Sequence, residues 1–213
     1  MIKAVIFDYD ETLTKTIEGK AKAYSDFAKS EYNQELTLEA VRKAFGKPYE
    51  EFIKTLFGNV EEVNTIISKY QKFSENYPPI AYEDAEENVN RLFTKYLVGI
   101  VSGVRRKALF KDLEKLKFDQ KSFFHIQCGD DTVDLKPNPK VFTPLLSKLK
   151  LCQISPSEVV YVGDSLGDFQ VSTAVGFQFI GTAEHTIPKS EFEKVGAEYI
   201  TEFKQLELVL SGK

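Results

Sequence analysis

The sequence contains few of the residues and segments from which metal clusters, disulfide frameworks and membrane spans are built. Its two cysteines, Cys128 and Cys152, lack the spacing of metal ligands. So few cysteines favour buried apolar side chains in a reducing compartment over a disulfide. No apolar run approaches the roughly 18 residues that cross a bilayer, and a first strand that begins at Ile2 leaves no room for a signal peptide. These absences predict a cytoplasmic protein without a membrane partner.

A strong charge of one sign, internal repeats and low-complexity segments are also absent. The formal net charge is -4, which argues against non-specific binding to nucleic acid. It does not argue against an anionic substrate, because lysines and a metal ion can dominate the field at one site. The two histidines, His125 and His185, are expected to be a core side chain with satisfied hydrogen bonds and a loop residue, so neither is predicted to be catalytic. A hydrophobic fraction of 42% over 213 residues is that of a globular protein with a substantial core.

The first fourteen residues organise the rest of the chain. The apolar run 2–7 is typical of a strand buried on both faces of a parallel sheet, and it leads into an acidic loop at 8–14. Ligands of open α/β sheets bind beyond the carboxyl ends of the strands. Asp8 and Asp10 are therefore predicted to stand in the binding crevice, where their i, i+2 spacing lets both carboxylates point to one side.

The stretch after this loop differs in pattern from the remainder of the chain. Helical periodicity without any strand run predicts four helices there, at 17–30, 37–45, 48–57 and 61–77. Strands and helices then alternate, with strands predicted at 96–101, 123–128, 159–162 and 177–180 and helices at 84–94, 106–116, 139–149, 168–175 and 203–210. Such alternation implies a parallel sheet with helices on both faces. We predict an α/β fold with a Rossmann-like parallel sheet core, residues 1–14 and 81–213, and an inserted all-helical cap domain, residues 15–80.

Polar residues follow the predicted strands at the same edge of the sheet. Ser102 and Gly103 follow the second strand, Lys136 lies after the third, and Asp164 and Asp168 follow the fourth. Mg²⁺ prefers hard oxygen ligands and is usually bound by a few carboxylates together with a phosphate. Together with the acidic loop, these residues are suited to Mg²⁺-assisted phosphoryl transfer.

In these residues the sequence resembles the haloacid dehalogenase superfamily of phosphatases and phosphomutases. The matching motifs, in chain order, are Asp8-Tyr9-Asp10-Glu11-Thr12, Ser102, Lys136 and Gly163-Asp164-Ser165-Leu166-Gly167-Asp168. The helical insertion resembles the mobile cap of the phosphoglycolate phosphatase and β-phosphoglucomutase branch. The sequence departs from the family at Glu11, where a glycine is common. We expect the Glu11 side chain to face away from a phosphate site.

The resemblance implies a role for each acidic residue. Asp8 would be the nucleophile that forms an aspartyl-phosphate, and Asp10 would serve as general acid and then general base. Mg²⁺ would be held by Asp8, by Asp164 and by the backbone carbonyl of Asp10. Asp168 would orient a metal-bound water or Lys136, although a helix N-cap is an equally good structural explanation for it.

The remaining predicted site residues are assigned to substrate binding. By resemblance Ser102, Gly103 and Lys136 would bind phosphoryl oxygens, and Lys136 would also screen the charge of Asp8. Taken alone, Ser102-Gly103 is an ordinary turn and Lys136 a solvated side chain; their shared place at the strand ends favours function. A second aspartate suits phosphate chemistry, since a dehalogenase of this fold lacks it. The expected function is a phosphatase for a small phosphorylated metabolite, as a monomer or weak homodimer, with a sugar phosphomutase and a non-catalytic phosphate-binding module as alternatives.

Overall fold

The computed structural model describes residues 1–45, 47 and 49–213, and within them the chain forms six β-strands and ten α-helices. The strands are β1 (Ala4–Phe7), β2 (Leu97–Val101), β3 (His125–Gln127), β4 (Val159–Gly163), β5 (Gln178–Thr182) and β6 (Glu198–Ile200). The helices are α1 (Thr16–Tyr32), α2 (Leu38–Ala44), α3 (Tyr49–Phe57), α4 (Val63–Phe73), α5 (Ala85–Leu92), α6 (Arg106–Lys115), α7 (Thr143–Leu151), α8 (Leu166–Ala174), α9 (Lys189–Lys194) and α10 (Leu206–Ser211).

All six strands lie in one parallel sheet, in the order β3-β2-β1-β4-β5-β6. Strand β1 is central, and its Ala4 lies opposite Leu97 of β2 on one side and Val159 of β4 on the other. The strand order reverses at β1, and this reversal is the place where α/β sheets open a crevice beyond the strand ends. The predicted Rossmann-like parallel sheet is confirmed.

The sheet is covered by helices on both faces because every β1 residue is apolar and buried. Val5 and Phe7 point into one core, which α5, α6 and α10 complete. Ala4 and Ile6 point into the other core, which includes residues of α7, α8 and α9. The alternation of successive side chains between two cores is the expected consequence of the period of two along a strand.

The chain divides into two compact units, Met1–Thr14 with Ala81–Lys213, and Lys15–Ile80. The second unit is helical in its described residues and has its own aromatic core, in which Tyr24 stacks on Tyr70 with ring centroids 3.8 Å apart. The chain leaves and re-enters the sheet unit at neighbouring positions, since Thr14 forms an antiparallel bridge with Ala81. None of the described helices is long and apolar enough to cross a membrane.

Several predicted elements differ from the structure. Helix α9 and strand β6 were not predicted, because they are only six and three residues long and carry no extended periodic pattern. Helix α8 begins at Leu166, and its N-cap is Ser165, whose side chain accepts a hydrogen bond from the Asp168 N–H. The N-cap explanation of Asp168 is therefore wrong. The predicted start of the third helix, Pro48, lies outside the described residues.

Two predictions about single side chains also need correction. Cys128 is buried, but Cys152 is exposed, because it follows the last turn of α7 at the surface. His125 is a buried core residue as predicted, and burial lowers its pKa. Its hydrogen bonding is only half satisfied: Nε2 lies 3.2 Å from Oε1 of Gln127, while Nδ1 has no partner among the described residues.

Candidate active site

Asp8 and Lys136 form an ion pair at the carboxyl end of the central strand. Asp8 directly follows β1, and its Oδ2 accepts a hydrogen bond from Lys136 Nζ at 2.8 Å. Lys136 also donates to Oδ1 of Asp168 at 2.9 Å. The three side chains are 11%, 21% and 4% exposed, respectively. Such burial makes each contact stronger than a surface ion pair, and each unpaired charge more costly.

Asp164 is held in place by two hydroxyl groups. It follows β4, and its carboxylate accepts hydrogen bonds from Thr12 Oγ1 at 3.3 Å and from the Thr186 hydroxyl. Thr12 belongs to the acidic loop after β1, and Thr186 to the turn after β5. The Asp164 carboxylate is therefore fixed by the loops of both neighbouring strands.

Gly163 allows Asp168 to approach this loop closely. A Cβ atom at position 163 would lie 2.7 Å from the Cβ of Asp168, which is far inside contact distance. Ser165 Oγ donates to Oδ2 of Asp168 at 2.7 Å and fixes the same carboxylate from the other side. The first turn of α8 thus presents Asp168 to Lys136 in one orientation.

Asp8, Asp164 and Asp168 form a buried cluster in which one ligand oxygen of each lies within 4.8 Å of the others. Burial raises the pKa of Asp8, opposed by Lys136, and the neighbouring Asp168 and Asp164 raise it further. Burial also raises the pKa of Asp164, to about 7, with a further contribution from Asp168. Burial alone would lower the pKa of Lys136, but its acidic neighbours outweigh this effect and raise it.

The cluster carries more negative charge than the single ammonium neutralises. The cluster has three carboxylates, two of which contact the one lysine, and this leaves a formal surplus of two negative charges when all are ionised. Hard carboxylate oxygens at this spacing fit the ligand preference of Mg²⁺. The residues present therefore fit a divalent cation at this position.

The other predicted site residues lie in the loops beside this cluster. Ser102 is buried directly after β2, the neighbour of β1, and its Oγ accepts a hydrogen bond from the Val104 N–H at 3.1 Å. Gly103 follows and is exposed. Asp10 is half-buried in the acidic loop, where its backbone bridges Thr14. Its carboxylate lies outside the three-carboxylate cluster, and its expected metal contact through the backbone carbonyl remains a prediction.

Glu11 has a buried side chain in a conformation that favours glycine. Its φ is 55°, in the left-handed region. The Tyr82 hydroxyl donates to Glu11 Oε2 at 3.3 Å, and His185 Nδ1 donates to the Glu11 carbonyl oxygen at 2.9 Å. The His185 and Tyr82 rings stack with centroids 3.4 Å apart. His185 thus lies in a loop, as predicted, and it also contacts the acidic loop.

Three contacts of this site were missed in the sequence: those of Thr186, His185 and Tyr161. Thr186 and His185 lie in an ordinary-looking turn after β5, so no motif marks them. Tyr161 lies inside β4, where an aromatic residue is expected to serve packing alone. Its hydroxyl accepts a hydrogen bond from Lys136 Nζ at 3.1 Å. The only signal available in the sequence was that Tyr161 carries a polar hydroxyl although its place in the strand assigns it to the core.

Comparison with known proteins agrees with this geometry. The family of haloacid dehalogenase-like hydrolases matches residues 5–182, so the chain belongs to that family and is an enzyme of the hydrolase class. The resemblance seen in its motifs is confirmed.

Individual relatives cover nearly the whole chain. A protein of Caldanaerobacter subterraneus subsp. tengcongensis named as a candidate pyrophosphatase, PpaX, is 26% identical over 99% of this chain and 96% of its own length. The phosphoglycolate phosphatase of Nitrosospira multiformis is 28% identical over 82% of this chain and 80% of its own length. The solved structure of CbbY from Rhodobacter sphaeroides, in complex with phosphate, has a TM-score of 0.76 at 17% identity and covers 97% of this chain and 96% of its own.

Proposed function

We propose that this hydrolase is a Mg²⁺-dependent phosphatase that acts on a small phosphorylated metabolite through an aspartyl-phosphate on Asp8. The observation that carries the proposal is the cluster at the end of β1, in which Asp8 lies 2.8 Å from Lys136 and shares its surroundings with Asp164 and Asp168. The names of the phosphoglycolate phosphatase and pyrophosphatase relatives support phosphate chemistry.

Mg²⁺ would be held by Asp8, Asp164 and the backbone carbonyl of Asp10. When bound, it would supply positive charge that offsets the negative charge of the nucleophile and of the phosphoryl group. Thr12 and Thr186 orient the Asp164 carboxylate toward this position. Hydrogen-bond partners of this kind fix the orientation of metal ligands and strengthen binding.

The chemistry divides into two displacements at phosphorus. In the first, an oxygen of Asp8 attacks phosphorus, the bond to the leaving oxygen breaks, and the Asp10 carboxyl gives its proton to that oxygen. In the second, water attacks phosphorus, the Asp10 carboxylate takes a proton from it, and the bond between phosphorus and Asp8 breaks to release phosphate. Ser102 and the Gly103 N–H bind phosphoryl oxygens, and Lys136 neutralises charge on Asp8 throughout.

Hydrolysis of an activated aryl phosphate tests the proposal. The purified protein is expected to release phosphate with Mg²⁺, to stop in EDTA, and to lose activity on Asp8→Asn, which keeps the shape of the side chain but removes the nucleophile. Asp119→Asn, an exposed carboxylate distant in sequence from every motif, is the control and should keep full activity. Equal rates from wild type and Asp8→Asn would refute the nucleophile assignment.

A panel of phosphorylated metabolites followed by phosphorus NMR identifies the substrate class. Release of free phosphate from a small phosphorylated acid or sugar is the expected result. Isomerisation of a sugar phosphate without free phosphate would instead establish the phosphomutase reaction.

A further inference from the structure

The Tyr161 hydroxyl accepts a hydrogen bond from the third N–H of the Lys136 ammonium group. An ammonium has three donors, and here they point to Asp8 at 2.8 Å, to Asp168 at 2.9 Å and to the Tyr161 hydroxyl at 3.1 Å. Every proton of Lys136 is therefore already used by the protein. To donate to a phosphoryl oxygen, the ammonium must release one of these three acceptors.

The Tyr161 hydroxyl can act toward Lys136 only as an acceptor. Its own proton is donated to the Val101 carbonyl oxygen at 3.3 Å, at the end of β2 and directly before Ser102. Burial raises the pKa of Tyr161, so the phenol stays neutral. The ring is held by Phe142, with centroids 5.2 Å apart in an edge-to-face arrangement, and is itself fully buried. The acceptor therefore has a fixed position.

Of the three acceptors, Tyr161 is held least strongly. Hydrogen bonds between two charged groups are roughly twice as strong as those with a neutral partner, and Asp8 and Asp168 are carboxylates. Exchange of the Tyr161 contact for a phosphoryl oxygen keeps both ion pairs of Lys136 intact. Exchange of either carboxylate would instead leave a buried charge without its partner.

We propose that Tyr161 is a positioning residue whose hydroxyl orients the Lys136 ammonium in the free enzyme by accepting one of its N–H groups. When the phosphate group binds, this Lys136 N–H leaves Tyr161 and donates to a phosphoryl oxygen. The proposal rests on the proposed function, because it places a phosphoryl group beside Asp8. It adds a competition to that function, because the hydroxyl of Tyr161 and the bound phosphate both accept the same N–H of Lys136.

Removal of this hydroxyl should therefore tighten phosphate binding. In Tyr161→Phe the third N–H has no protein acceptor, so bound phosphate gains a hydrogen bond without displacing one. With a net hydrogen bond worth about 1 kcal/mol, the inhibition constant of inorganic phosphate should fall roughly two- to tenfold, and the KM for an aryl phosphate should fall with it. A mere loss of packing would not strengthen ligand binding.

The measurement is competitive inhibition of aryl phosphate hydrolysis by inorganic phosphate, with the 213-residue chain and saturating Mg²⁺. Tyr199→Phe is the matched control, since its hydroxyl bonds an exposed Glu193, and it should leave the inhibition constant unchanged. An unchanged or raised constant in Tyr161→Phe overturns the proposal. If that variant does not fold, Tyr161→Met, which also lacks the hydroxyl, is held to the same criterion.

A double-mutant cycle tests whether Tyr161 acts through Lys136. Calorimetric binding of inorganic phosphate is compared in Lys136→Met with and without Tyr161→Phe. The tyrosine substitution should have no effect once the ammonium is gone, and a persisting gain in affinity overturns the proposal. Wild-type protein that does not bind phosphate would refute the proposed function and this inference together, whereas normal wild-type binding with no change in Tyr161→Phe refutes the inference alone.

Discussion

Neutralising Asp164 should change how the stability of the metal-free protein depends on pH. Burial raises the pKa of this carboxyl from 3.8 to about 7, so the native state binds a proton that the unfolded chain has lost. The contribution of this proton to the free energy of unfolding declines as the pH rises from about 4 and is lost above about 7. Asp164→Asn removes the ionisation, so the variant should gain stability relative to wild type over this range.

The magnitude follows from the size of the shift. One pKa unit corresponds to about 1.4 kcal/mol, so a shift of this size costs at most about 4 kcal/mol at high pH. About 2 to 3 kcal/mol of that cost develops between pH 5 and pH 8. Loss of the hydrogen bonds from Thr12 and Thr186 weakens the variant by an amount that is independent of pH, and it cancels in the comparison.

The assay is urea unfolding followed by far-ultraviolet circular dichroism in EDTA at pH 5 and pH 8. The free energy of unfolding of Asp164→Asn minus that of wild type should rise by about 2 to 3 kcal/mol between the two pH values. Asp119→Asn is the control, because the hydrogen bond from Ser122 lowers the pKa of Asp119, and its difference from wild type should not rise. A difference for Asp164→Asn that stays constant or falls would refute the burial argument. Saturating Mg²⁺ at pH 8 should stabilise wild type more than the variant.

Three further predictions concern single contacts of the site. Thr186→Val removes a hydroxyl that bonds Asp164 and should weaken Mg²⁺ binding roughly tenfold, measured by calorimetry; unchanged affinity would contradict its orienting role. Gly163→Ala places a Cβ 2.7 Å from that of Asp168 and should lower the unfolding free energy by about 1 to 3 kcal/mol. The control Gly19→Ala, in open space within α1, should be neutral or stabilise by up to about 1 kcal/mol. Equal effects of the two substitutions would show that the close approach of Gly163 to Asp168 is unimportant. Lys136→Met leaves Asp8 and Asp168 buried without their cation and should destabilise the metal-free protein by about 3 to 5 kcal/mol at pH 8. The loss should shrink as the pH falls, because the pKa of Asp8 is raised; a loss that does not depend on pH would argue against charge as the cause.

The parallel sheet and the loops that carry the charged residues were predictable from the sequence. Each site motif follows an apolar run, and parallel strands bring their carboxyl ends to one edge regardless of side-chain detail. Asp8 follows β1 and Asp164 follows β4, so the pattern identified them as neighbours although they are 156 residues apart in the sequence.

The details that were missed depend on tertiary placement. The sequence suggests Asp168 as an N-cap because it opens a helical pattern, but Ser165 three residues earlier caps α8, so the Asp168 carboxylate is available to Lys136. Tyr161 and Thr186 carry no local signal, since their partners are 25 and 22 residues away in sequence. Local pattern identifies charged groups at strand ends, while the neutral hydroxyls that orient them emerge only from the packed structure.

The antiparallel bridge between Thr14 and Ala81 has a consequence for how this chain can be recombined. Because the chain leaves and re-enters the sheet unit at adjacent positions, we expect that the segment 15–80 can be replaced without displacing the backbone that carries Asp8, Lys136, Asp164 and Asp168. A chimaera joined at these two residues should therefore keep the side chains of the candidate active site in their observed positions.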